Sequence, residues 1–145
     1  REPLEVESAI GACMMVRGQA LKEVSFFDER YFFFFEETDL AFAMKRAGWS
    51  VCQVPDALIY HFQGKSIGHN AKSRIEFYRS RYQFLRKWHG SAYYRAAAAV
   101  IFLRLLADAL LNAAGVVFTL GLSKNLRRKL AVYTQLIRWH FEGKR

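Results

Sequence analysis

The feature that most restricts this chain is a run from Ala96 to Leu122 that is almost wholly apolar, followed by a basic stretch from Ser123 to Lys144. A run of that length reads as a helix. By length it could span a bilayer. Yet Arg104, Asp108 and Asn112 recur every four residues and make a polar stripe, on which Arg104 and Asp108 can pair. Central Arg and Asp each cost roughly 2.5–3.5 kcal/mol on insertion, and the apolar residues nearly offset that, so the arithmetic does not decide. The stripe favours a helix lying in the membrane plane or a helix hairpin. An ordinary hairpin packed on the preceding domain or a second subunit ranks next, and a true span third. After Ser123, Leu126, Leu130, Tyr133 and Ile137 share one side while Arg127, Arg128, Lys129 and Arg138 fall elsewhere, a pattern that suits anionic headgroups.

The preceding ninety residues read differently, and a domain boundary is expected near Gly90. Val6 to Val16 reads as a mostly buried strand, with Gly11 marking a close backbone approach. Arg17 to Val24 is a short helix. Glu36 to Ala47 is a longer one, with Leu40, Ala43, Met44 and Ala47 on one stripe, acids in its first turn, Lys45 and Arg46 in its last, and Gly48 as the stop. Ser50 to Val54 and Ala57 to Phe62 read as strands, Gln63 to Lys72 as a loop, and Ser73 to Trp88 as a helix with a basic, aromatic face.

With 52% hydrophobic residues the chain has enough apolar side chain for a core, which argues against disorder. Cys13 and Cys52 form no metal-ligand spacing and are expected buried and reduced. Arg1 to Ser8 carries no apolar signal-peptide run, and the opening Arg1-Glu2-Pro3-Leu4 reads as an excision from a longer chain. The net charge of +9 attracts nucleic acid, anionic lipid or phosphorylated ligands without choosing among them. A non-catalytic basic module that binds membrane or nucleic acid is therefore the alternative to an enzyme. No zinc spacing, RNP-type strand or helix-turn-helix supports nucleic acid.

The chemistry concentrates at Glu36, Glu37 and Asp39, which follow an aromatic run, Tyr31 to Phe35. Carboxylates crowded beside apolar side chains repel, and one of them then holds its proton more tightly, as a general base for a hydroxyl requires. Alone, the cluster reads better as acids decorating a helix N-terminus, each stabilising by about 0.3–1 kcal/mol.

Taken together, Gly11-Ala12 with Arg17, Phe27-Asp28-Glu29, Phe32, Glu36-Glu37-Thr38-Asp39-Leu40, Ala47-Gly48-Trp49, and Pro55-Asp56-Ala57 with His61 resemble the C-terminal half of family 2 glycosyltransferases over residues 5 to 90. The resemblance implies the C-terminal portion of an α/β GT-A domain over residues 1–90, followed by a helical tail over 91–145. It also implies inverting transfer from a nucleotide-diphosphate sugar to a glycan or lipid-linked acceptor in cell-surface polysaccharide synthesis. The family's base position, usually Asp, is Glu37 here, with Glu36 and Asp39 as neighbours. His61 matches a ligand for a divalent metal, Mg or Mn, and should share a pocket with the acids. His69 is a weaker candidate. Gly11, Ala12, Arg17 and Trp49, with Lys65, Ser66, Lys72 and Arg74 in or beside the Gly/Ser loop, are the candidate substrate-binding residues. Trp49 is most simply a core anchor. The family's Asp-x-Asp nucleotide motif is absent from this sequence, so the stretch by itself should be inactive. A cytoplasmic site peripheral to the inner membrane face, contact with the membrane surface through 96–142, and a homodimer complete the expectations.

Overall fold

In the computed structural model, which describes residues 2–62 and 71–142, the chain divides into two units, Arg1–Ser66 and Ile67–Arg145. In the first, β1 (Leu4–Glu5) pairs antiparallel with β2 (Cys52–Gln53), Leu4 opposite Gln53 and Glu5 opposite Cys52. Between them in sequence lie α1 (Gly18–Glu23) and α2 (Glu36–Arg46), both where the sequence pattern puts them. Ala20 of α1 and Leu40 and Met44 of α2 form a buried cluster, with Val16, Leu21, Val24 and Trp49 packed around it. Leu40 and Met44 are one helical turn apart, so one face of α2 supplies the core. The chain leaves α2 through Gly48 at φ +88°, a left-handed conformation that strains any other residue. Lys45 ties the helix end to the opening segment, its Nζ 2.9 Å from Glu7 Oε1.

Residues 6–16 are not the expected buried strand. They run without regular structure after Glu5, with Ile10 66% and Met15 101% exposed. Residues 57–62 form no strand either. A strand exists only when a neighbour takes its backbone groups and a layer covers its apolar face. Among the described residues β1 and β2 alone pair, so the described chain is mostly helical and the expected α/β sheet is reduced to a short ribbon. Cys13 in the first of these segments and Cys52 on the two-residue strand β2, both expected buried, lie exposed as free thiols.

The second unit consists of α3 (Ala71–Phe118) and α4 (Lys124–Phe141). α3 is interrupted at Gly90, where φ 80° and ψ 174° are accessible essentially to glycine alone. The boundary expected near Gly90 coincides with this break, whereas the two units part between Ser66 and Ile67. Residues 71–89 join the second unit because their aromatic face finds partners on α4. Tyr82 stacks on Trp139 at 6.2 Å between ring centroids, and its hydroxyl lies 2.8 Å from His140 Nε2. His140 Nδ1 is 2.7 Å from the Leu136 carbonyl, so Nδ1 carries the proton and Nε2 accepts from Tyr82. Ile101, Leu105 and Ala109 are buried at helical spacing, as is Leu136 on α4. Near the turn, Gly115 admits Leu126 so closely that a Cβ there would sit 3.1 Å from Leu126 Cδ1. Ser123 caps α4, its Oγ accepting from the Leu126 N–H at 3.4 Å.

Candidate active site

α2 is entered through two consecutive aromatic residues in left-handed backbone, Phe34 at φ 66° and Phe35 at φ 69°. Each such residue costs about 1–3 kcal/mol, and strain of this kind persists where neighbouring structure holds a side chain in a required direction. Part of what holds it is visible. Asp39 is 3% exposed and accepts a hydrogen bond from the Tyr31 hydroxyl at 2.9 Å, while its own N–H donates to the Phe35 carbonyl at 2.7 Å. Burial, together with the bond to Asp39, pushes the Tyr31 hydroxyl far above its usual range. Just before, Asp28 closes a tight turn by accepting from the Arg30 N–H at 3.1 Å and from its guanidinium Nε at 2.9 Å. The aromatic turn is thus fastened to Asp28 on one side and Asp39 on the other.

Glu36 and Glu37 are half-buried, and the Oε2 atom of each is buried without a hydrogen-bond partner. Gly11 lies directly against Glu37. A Cβ at position 11 would stand 3.6 Å from Glu37 Cβ and 3.9 Å from its Cδ. The close approach expected of Gly11 is therefore made to the acid itself. Burial raises the Glu37 carboxyl above its ordinary value, the neighbouring Glu36 charge raises it further, and its own backbone N–H opposes both. A carboxylate in this condition accepts a proton more readily than a solvated one.

The remaining candidates of the first unit are dispersed. Ala12 is exposed in the turn that carries Gly11. Arg17 is exposed, with its guanidinium 5.7 Å from the centre of the Trp49 ring. Trp49 packs on the core cluster and donates through Nε1 to Glu23 Oε2 at 3.1 Å, as a core anchor would. His61 is exposed, and no hydrogen bond or ion pair joins it to the acids. No three His, Cys, Asp or Glu side chains gather as a metal set among the described residues, so they do not by themselves fit the expected divalent ion. Lys72 and Arg74 belong to the second unit; Lys72 is exposed, and the Arg74 guanidinium sits 5.6 Å from the Tyr133 ring centre. Lys65, Ser66 and His69 lie outside the described residues. Tyr31, which holds Asp39 at the start of α2, is the contact that the sequence did not single out. Its contact spans eight positions across an irregular turn, a separation with no periodic pattern to read.

Residues 4–82 match the family described as "Glycosyltransferase like family 2". The chain belongs to that family. Over 87 residues this family 2 chain is 38% identical to the N-acetylglucosaminyl-diphospho-decaprenol L-rhamnosyltransferases of two Mycobacterium tuberculosis strains, CDC 1551 / Oshkosh and ATCC 25618 / H37Rv. The alignment takes in 59% of this chain and 28% of each relative, so the chain spans well under half of their length. No solved structure gives a significant match. The family match takes in β1, Gly11, the acids of α2 and Trp49, and ends inside α3 at Tyr82.

Proposed function

We propose that this chain carries the acceptor side and the catalytic base of an inverting, GT-A-type glycosyltransferase. The observation that carries the reading is the Glu37 carboxyl, half-buried beneath Gly11, with one oxygen unpartnered. Glu37 takes the proton from an acceptor hydroxyl. The oxygen attacks the anomeric carbon of a nucleotide-diphosphate sugar from the face opposite the phosphate. A new carbon–oxygen bond forms, the anomeric bond to phosphate breaks, and its electron pair leaves with the nucleotide diphosphate. Configuration inverts because attack and departure occur on opposite faces.

Glu36 adds negative charge beside the base, which raises its proton affinity. Asp39, engaged with Tyr31, holds the start of α2 in place and does not touch the acceptor. Arg17 is assigned to the acceptor's surroundings, with Trp49 behind it as a core anchor. The divalent ion implied by the family resemblance finds no ligand set among the described residues, so no step here runs through a metal. The relatives' names point to a rhamnosyl donor and a polyprenyl-diphosphate-linked acceptor, which would put the reaction at the inner face of the cell membrane.

In the transferase carrying this sequence, Glu37→Gln should lower kcat by about 10²–10⁴-fold with KM little changed. Glu36→Gln, which alters only the neighbouring charge, should lose far less. Equal losses in the two variants, or full turnover in Glu37→Gln, would remove Glu37 from the role of base.

A further inference from the structure

The turn joining α3 to α4 is covered by side chains that a water-facing turn does not need. Val117, Phe118, Leu120 and Leu122 are all more than 70% exposed. They continue an exposed apolar face of α3 that includes Leu103, Leu110 and Leu111. The most apolar eighteen-residue window of α3 is only 17% buried. Immediately beyond the turn, Lys124, Arg127, Arg128 and Lys129 are exposed on the first turns of α4. At 1.5 Å per residue they form a cationic belt within roughly 10 Å of the apolar tip along the helix axis. That separation matches the depth over which an interfacial element passes from acyl chains to headgroups.

We propose that the α3–α4 turn is a membrane-docking tip. Its apolar side chains enter the acyl boundary of a bilayer, and the cations behind them meet anionic headgroups. The pairing of the two helices argues against a transmembrane α3. α4 lies along α3 from Gly115–Leu126 to Phe102–Phe141, so a spanning α3 would carry the exposed cations of α4 into hydrocarbon with it. Charge complementarity selects the occupant, because a second copy of this chain would bring the same cations to the same place. The inference is independent of the role given to Glu37.

Flotation of the chain with vesicles of phosphatidylcholine, with and without phosphatidylglycerol, tests it. Binding is expected to anionic vesicles and to weaken in high salt. Phe118→Asp with Leu120→Asp should lower partitioning roughly tenfold or more. Arg127→Gln with Arg128→Gln should do the same for anionic vesicles while leaving zwitterionic ones unaffected. All four positions are exposed, and circular dichroism checks that each variant keeps its helix content. Absence of vesicle binding, or binding that the tip variant leaves intact, overturns the proposal. So does a dimer, seen by sedimentation without lipid and dissolved by the tip variant, in a chain that ignores vesicles; the tip would then belong to a second copy.

Discussion

At Glu37 burial opposes the charged form that the proposed base role requires, and the opposition can be measured. Its carboxyl is raised above the ordinary 4.5 chiefly by burial, so the folded protein takes up that proton more readily than the unfolded chain. Below the ordinary value both states are protonated and the group costs nothing. The penalty grows as pH rises from there through the raised value and is complete above it. Glu37→Gln is therefore expected to raise Tm at neutral pH, with the gain vanishing in acid; thermal melts of both proteins across this range check it. Tyr31 carries the opposite expectation. Tyr31→Phe removes a hydrogen bond to a buried carboxylate and should destabilise by about 1.5–3 kcal/mol in urea unfolding. The acids were legible in the sequence because a helix start is a local event, marked by charge and by the aromatic run before it. The bond between Tyr31 and Asp39 was not, because two residues eight apart meet only after the turn has folded.

At the scale of elements, legibility followed whether an element carries its own bonding. α1, α2 and the helices of the second unit announce themselves through periodicity, end charges and glycine stops. The apolar stretches at 6–16 and 57–62 look like strands, but a strand depends on a neighbour that no local pattern guarantees. Gly90 was expected to mark a domain boundary; it is a break within α3, and its dihedral angles make that break testable. Gly90→Ala places a Cβ in a region nearly closed to other residues, and should cost about 1–3 kcal/mol on denaturant unfolding. Wild-type stability in that variant would mean that α3 can run straight through position 90.

At the scale of the molecule the chain combines a small unit carrying a family 2 acid cluster with a helical hairpin whose tip is apolar and basic. The two properties are assigned to different units, so Glu37→Gln should slow transfer by the same range of about 10²–10⁴-fold while leaving vesicle partitioning unchanged, and the tip variant should reverse that pattern on a water-soluble acceptor. The central claim is that one side chain removes the acceptor's proton, and the acidic limb of the kcat/KM–pH profile reports on it most directly. The wild-type enzyme should lose activity in acid with a midpoint above the ordinary carboxylate value, and the residual activity of Glu37→Gln should show no such limb. An unchanged limb in Glu37→Gln would mean that another group is the base.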